Sequence, residues 1–307
     1  MDEIFDSIII GGGPAGLSTA IYLGRFMRSV LVIDKDDGRS SYAQINDNYL
    51  GFPEGIHATK LKELGKKQAA RFGTVFVEDE VDDIFKEKEL FVVKSLEHSY
   101  KSRTIVFATG VTDNFPPIKG IHEYIGKSVF WCITCDGYRA LNKNVVVIGK
   151  DDDAASTCLQ FLNYTKSLTF VTNCDEDQVE VSEEFRKRFE RNQIKWICGR
   201  VVELKGRGGL VKRVVLEDDT EIDADMIFSM QGAVPNSYLA QKVGVALDKH
   251  QYIKTDLEQR TNIPFVYAAG DVTRNFSHQV ITAAHEGSAA AQTANYDLYN
   301  PDQKEIV

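Results

Sequence analysis

No stretch of this 307-residue chain approaches the roughly 20 consecutive apolar residues of a membrane span. Its first residues, Met-Asp-Glu-Ile-Phe-Asp-Ser, lack the basic flank and cleavage site of a secretory signal. A basic excess is also missing. Lys and Arg number 36 against 45 Asp and Glu, for a formal charge of −9 and a pI near 5.3. That balance argues against non-specific binding to nucleic acid or to an anionic membrane, although a local basic patch stays open. The cysteine count is five, and an odd number does not make a fully paired secreted framework. A cytoplasmic, reducing location is therefore expected, with no nucleic-acid or membrane partner. What is present is an ordinary globular composition, 43% hydrophobic, which excludes global disorder. The length suits about two domains of roughly 150 residues each.

The chain contains a repeat. Ser7–Leu23 reads SIIIGGGPAGLSTAIYL and Val145–Leu162 reads VVVIGKDDDAASTCLQFL. Each is a β-branched strand, a turn opened by glycine, and a helix with small residues in its first turns. Aligning Gly11 with Gly149 also aligns Ser18-Thr19 with Ser156-Thr157. Two nucleotide-binding folds of related design are the reading, and coincidence among strand–Gly–helix units is the plain alternative.

The first copy carries the full chemistry. Gly11, Gly13 and Gly16 stand at G-x-G-x-x-G, with Pro14 and Ala15 between them. Such a turn lets the backbone approach a pyrophosphate, which then faces the free N–H groups of the helix start. The next strand, Leu31-Val32-Ile33, ends in Asp34, placed to accept ribose hydroxyls. Thr104–Gly110 reads TIVFATG, with Ala108, Thr109 and Gly110 where a backbone passes close to a ligand. Val266–Asp271 reads VYAAGD and brings Gly270 and Asp271 to the same site from the far end of the chain. An ordinary strand end is the alternative for that segment. These signatures favour a flavin over a nicotinamide in the first domain.

Phe130–Tyr138 reads FWCITCDGY. Cys132 and Cys135 close a loop too short to stabilise the fold much, so the spacing points to exchange chemistry. A zinc site needs two more ligands. There is no second C-x-x-C, Cys158, Cys174 and Cys198 are solitary, and the six His are scattered, so no metal is expected. Asp136 follows Cys135 and can exchange a proton with a thiol, a helix or turn cap being the alternative.

These motifs and their order resemble the low-molecular-weight thioredoxin reductase family over essentially the whole chain. GGGPAG, NYLGFPEGI (Asn48–Ile56), ATG, C-x-x-C-D-G, AAGD and QVITAAHEG (Gln279–Gly287) carry the likeness. The resemblance implies an α/β fold of two Rossmann-like domains (three-layer ββα), the second inserted into the first. The expected FAD-binding domain is 1–113 with 241–307, and the insert is 114–240, joined by connections holding Pro116-Pro117 and Pro235-Asn236. It implies FAD, with Asn48 beside the isoalloxazine and Asp271, Gln279 and Val280 at the ribitol and pyrimidine end. It further implies that Cys135 faces the flavin, that Cys132 attacks the disulfide of a thioredoxin-like substrate, that Asp136 is the acid–base, and that the protein is a homodimer. Family members alternate between two domain orientations.

The second copy departs from the family. Its nicotinamide site has a second G-x-G-x-x-A and a strand ending in His-Arg-Arg. Here the turn is Gly149-Lys150-Asp151-Asp152-Asp153-Ala154, and the strand Leu168–Val171 leads into Thr172-Asn173-Cys174. Each lost charge-assisted contact is worth roughly 1.5–3 kcal/mol. Asp175 or Glu176 would suit an unphosphorylated ribose but would not repair the phosphate turn. The chain thus resembles the NAD(P)H-independent branch, some members of which take electrons from ferredoxin. An acidic ferredoxin needs a basic patch. Arg186-Lys187-Arg188 with Arg191 and Lys195 is a candidate, with a solvated helix face as the favoured reading. Two other readings stand beside the reductase: an FAD- and oxygen-dependent dithiol oxidase, and a non-catalytic flavin redox sensor. A second departure replaces Gly-Gly-Gln by Gly38-Arg39-Ser40-Ser41-Tyr42, where Arg39 and Tyr42 either meet the flavin or lie in an exposed loop. The tail from Asn295, with Tyr296 and Tyr299, either packs on the flavin or frays, and fraying is the favoured reading.

Overall fold

A computed structural model describes residues 4–42, 44–96, 98–274 and 276–304. The described residues form two compact units, one from Met1–Tyr42, Tyr49–Thr112 and Val234–Val307, the other from 43–48 and Asp113–Ala233.

The first unit is built on a parallel sheet. Its strands run in the order Val75–Val77, Val30–Ile33, Ile4–Ile10, Ser99–Phe107, with Val266–Ala268 beside the end of Ser99–Phe107. The antiparallel strands Val81–Glu87 and Leu90–Ser95 extend it from the start of Ser99–Phe107. The consecutive apolar residues make sense because both faces are covered. Ile8, Ile10, Ile33 and Phe107 pack on one side with Ile84, Phe91 and Val93. Ile9, Val32 and Val106 point the other way, onto Ala20 and Leu23 and onto Ala290, Ala291 and Ala294. These belong to the helices Pro14–Arg25 and Val280–Asp297. Small residues let the two helices approach closely, and Ser18 Oγ donates to the Ala284 carbonyl at 2.7 Å.

The second unit repeats the plan. Its parallel sheet runs Val129–Phe130, Met226–Ser229, Val145–Ile148, Leu168–Val171, Lys195–Ile197. Val146 and Ile148 pack with Val201, Leu204 and Val214 of a three-stranded antiparallel sheet. Val145 and Val147 pack with Ala154, Ala155, Cys158 and Phe161. The structure is thus α/β, with a parallel sheet covered on both faces in each unit.

Three segments depart from the sequence expectation. Residues 234–240 cluster with the first unit rather than the insert. Ala240 is buried among Val81 and Ile84, and Asn236 exchanges hydrogen bonds with Thr109. Gln44–Asn48 clusters with the second unit. The tail does not fray over its described part. The helix continues to Asp297, Asn295 accepts from Arg28 Nε at 2.8 Å, and a capped turn follows at Pro301–Gln303. Residues 305–307 lie outside the described part.

Among the described residues, no helix is long and apolar enough to cross a membrane.

Candidate functional site

The first unit places its glycine turn between strand and helix as the motif requires. Gly11 has φ +104°, and a Cβ there would lie 2.3 Å from the Ala108 carbonyl oxygen. A Cβ on Gly16 would lie 1.9 Å from the Gly11 oxygen. Both glycines are fixed by the protein's own packing. Gly13 differs. Its φ is −76°, and a Cβ would meet nothing nearer than Ser40 Oγ at 3.7 Å. The space it leaves is open, which is what an approaching pyrophosphate needs. Gly13 caps the helix without a side-chain hydrogen bond, Pro14 occupies the first turn with Ala15, and no acidic residue stands there. The first N–H groups are left for an anion.

Asp34 follows the strand Val30–Ile33. It leans over the turn, so that a Cβ on Gly12 would lie 2.6 Å from its Oδ2. That oxygen is 2.7 Å from Lys62 Nζ, and Lys62 also contacts Asp36. Lys62 is only 8% exposed. Burial opposes its charge, but the two carboxylates more than offset this and hold the ammonium above its ordinary range. The motif reading missed Lys62, because the lysine lies on the distant helix Ala58–Ala70.

At the far end of the site, Gly270 has φ +83° and precedes Asp271. Glu286, 1% exposed, accepts the Gly270 N–H at 2.7 Å and the Thr273 hydroxyl at 3.1 Å, and it also contacts Arg274. Asp271 is thereby held on a fixed turn. Arg39 Nη1 reaches Asp271 Oδ2 at 2.8 Å and His278 Nδ1 at 3.1 Å, while His278 Nε2 lies 2.7 Å from the Arg274 carbonyl. Arginine only donates and a carbonyl only accepts, so a neutral His278 carries its proton on Nε2. Arg39 is therefore held against Asp271 and His278 and does not lie in an exposed loop. Gln279 stands at the cap of the helix Val280–Asp297, and both Gln279 and Val280 are half-buried. Ala108, Thr109 and Gly110 follow the strand Ser99–Phe107 beside the glycine turn. The open face at Gly13, the uncapped helix start and the carboxylates at either end fit a dinucleotide.

In the second unit, Cys132 and Cys135 are joined by a disulfide. Cys132 caps the short helix Ile133–Asp136, and the Cys135 N–H donates to its sulfur at 3.1 Å. Asp136 makes no side-chain cap. Burial first, then nearby Asp47, raises its carboxyl against the opposing pull of Arg139, to about 6. Asn48 is exposed and is grouped with this unit. Cys158 is fully buried, and burial pushes its thiol well up. Cys174 is buried and Cys198 exposed, and both are free thiols.

The turn of the second repeat closes on itself. Asp151 Oδ1 accepts the Ala154 N–H at 2.9 Å, and Asp152 Oδ1 accepts the Ser182 N–H at 2.7 Å. Asp152 and Asp153 occupy the first turn of the helix Asp152–Gln160. The Lys150 carbonyl accepts the Glu180 N–H at 2.7 Å. Past the strand Leu168–Val171, Asn173 Oδ1 accepts the Val201 N–H at 2.8 Å, and Arg200 pairs with Asp175 at 2.6 Å. On the helix Glu183–Arg191, Lys187 and Arg188 pair with Glu183 and Glu184, and Arg186 lies over Trp196. Among the described residues, no cluster of three or more His, Cys, Asp or Glu is arranged to hold a metal.

Two dinucleotide-type units and a C-x-x-C disulfide define a disulfide oxidoreductase of the two-repeat kind. Residues 5–291 match the pyridine nucleotide-disulphide oxidoreductase family, and the chain belongs to it. It is 32% identical to thioredoxin reductase of Treponema pallidum, over 96% of this chain and 97% of the relative. It is 28% identical to that of Bacillus subtilis, over 96% and 95%. The crystal structure of thioredoxin reductase from Streptococcus pyogenes superposes with a TM-score of 0.88 at 26% identity, covering 97% of this chain and 99% of that one. The protein is a flavin-dependent disulfide oxidoreductase of thioredoxin reductase type, with FAD as its cofactor.

Proposed function

We propose that this enzyme reduces the disulfide of a thioredoxin-like protein with electrons from a protein donor such as ferredoxin, without NADPH. The observation that carries the reading is the self-closed turn at Gly149–Ala154. There the Ala154 N–H is taken by Asp151, and Asp152 and Asp153 stand in the first helical turn. A pyrophosphate brought to this turn would meet carboxylates in place of free donors. The residues that follow Leu168–Val171 supply no cation for a ribose phosphate, and nearby Arg200 is paired with Asp175.

Gly13, Pro14, Ala15, Gly16 and Asp34 would hold the adenosine pyrophosphate half of FAD. Asp271, Gln279 and Val280 would hold the ribitol and pyrimidine half, with Asn48 beside the ring. When bound, FAD supplies a two-electron store for the dithiol. In the dithiol state, the Cys132 thiolate attacks one sulfur of the substrate disulfide. A mixed disulfide forms, and the other substrate sulfur leaves as a thiolate and takes a proton. Cys135 then attacks Cys132 Sγ, the Cys132–Cys135 bond re-forms, and the second substrate thiolate leaves and is protonated. Two enzyme thiols are oxidised and one substrate disulfide is reduced. Asp136 carries the protons, its raised carboxyl being suited to give one near neutral pH. A homodimer, implied by the family resemblance, and a cytoplasmic location, expected from the cysteine usage and the N-terminal residues, complete the reading. The comparisons favour neither the dithiol oxidase nor the non-catalytic sensor.

The test is coupled turnover. Reduced ferredoxin with the holoenzyme should reduce thioredoxin over many cycles, and NADPH in its place should not. Equal rates with NADPH would overturn the donor assignment.

A further inference from the structure

Arg139 bridges two carboxylates beside the dithiol. Its Nε lies 3.1 Å from Asp136 Oδ1, and its Nη2 contacts Asp47 Oδ2. The Tyr138 hydroxyl donates to the same Asp47 oxygen at 2.5 Å. The guanidinium rests over the rings of Tyr138 and Phe130, at 5.4 and 5.9 Å from their centroids. Arginine stays charged throughout. Asp47 has an arginine and a hydroxyl. Among the described residues Asp136 pairs with the arginine alone, and it is the more buried side chain, 15% exposed against 27%. One cation between two acids leaves an excess negative charge, and a proton on the more buried acid relieves it.

We infer that Arg139 and Asp47 form a positioning pair that tunes Asp136 as the proton carrier of the Cys132–Cys135 dithiol. Asp47 holds Arg139 from behind and repels the ionised form of Asp136, while Arg139 favours that form. The two therefore act in opposite senses. The inference rests on Asp136 being the acid–base, and its test separates the two.

The first measurement is a pH titration of the Asp136 carboxyl in oxidised holoprotein. It uses carbon-13 detection, with the signal assigned by its loss in Asp136→Asn. The wild type should titrate near pH 6. Arg139→Met should move the midpoint up and Asp47→Asn should move it down, each by about half a unit or more. If Arg139→Met does not fold, Arg139→Lys serves, with a smaller upward move because the two-pronged bridge is lost. Midpoints that stay put, or that move the same way in both variants, overturn the inference. The second measurement is the pH profile of exchange between pre-reduced holoprotein and thioredoxin disulfide. It should follow the carboxyl midpoint in every variant. If the carboxyl moves in opposite senses and the profile does not follow, the tuning stands and the acid–base role of Asp136 is overturned.

Discussion

Asp151 Oδ1 accepts the backbone N–H of Ala154 at 2.9 Å, and so fills from within the protein a position where a helix start meets an anion. In the first repeat the corresponding cap, Gly13, makes no side-chain hydrogen bond. Two turns of like design thus differ, one helix start being left open and the other capped by its own side chain. Removing this cap by Asp151→Ala should cost about 1 kcal/mol of stability, read as a lower urea midpoint. It should not create reduction by NADPH, because Asp152 and Asp153 remain. An unchanged midpoint would show that the hydrogen bond contributes nothing.

The glycines of the first turn should separate cleanly. Gly16→Ala puts a Cβ 1.9 Å from the Gly11 oxygen and should prevent folding. Gly13→Ala meets only Ser40 Oγ at 3.7 Å, on a backbone that alanine accepts. It should fold and bind FAD at least about tenfold more weakly, through obstruction of the pyrophosphate. Fluorescence titration of the apoprotein with FAD measures this. Unaltered affinity in Gly13→Ala would move the pyrophosphate elsewhere.

Lys62 pairs with Asp34 in a largely buried place and also contacts the half-exposed Asp36. Lys62→Met leaves those charges unpaired and should destabilise by about 3–5 kcal/mol in urea unfolding. Adding Asp34→Asn should return part of that loss. If the double variant is as unstable as the single one, the pair is not the source of the cost.

Asp136 gives a pH-dependent prediction with a definite sign. Its folded value, about 6, lies above the ordinary aspartate value of 3.8. Between those values the native state holds the proton that the unfolded state gives up. Its contribution is therefore fully present at low pH and is lost as pH rises through about 6. Asp136→Asn should raise the melting temperature at pH 7.5 by about 2–6 °C and change it little at pH 4. A fall at pH 7.5 would mean that the Arg139 contact outweighs burial.

Much of this was legible in the sequence because strand–turn–helix motifs are local. Gly11 to Gly16, Asp34 and the C-x-x-C stand within short windows whose chemistry is set by spacing. The replacement of glycine by Asp151 was legible for the same reason. The partners were not. Lys62 reaches Asp34 from another helix, Glu286 reaches Gly270 across a turn, and Asp47 reaches Arg139 over a long sequence separation. Such pairs are set by tertiary packing, which periodicity does not encode. The tail misled for a related reason. A chain end is expected to fray, but Arg28 lies over Tyr299 and bonds Asn295. The boundary near Val234 moved because Ala240, unremarkable in sequence, completes the core around Ile84.

The proposed loss of nucleotide binding at the self-capped turn of the second repeat is open to a direct test. The direct measurement is the anaerobic absorbance of the holoenzyme flavin during titration with NADPH and NADH, with reduced ferredoxin as the comparison. The account predicts a flavin that stays oxidised with both nicotinamides at micromolar concentrations and bleaches with reduced ferredoxin. Rapid bleaching by micromolar NADPH or NADH would contradict it.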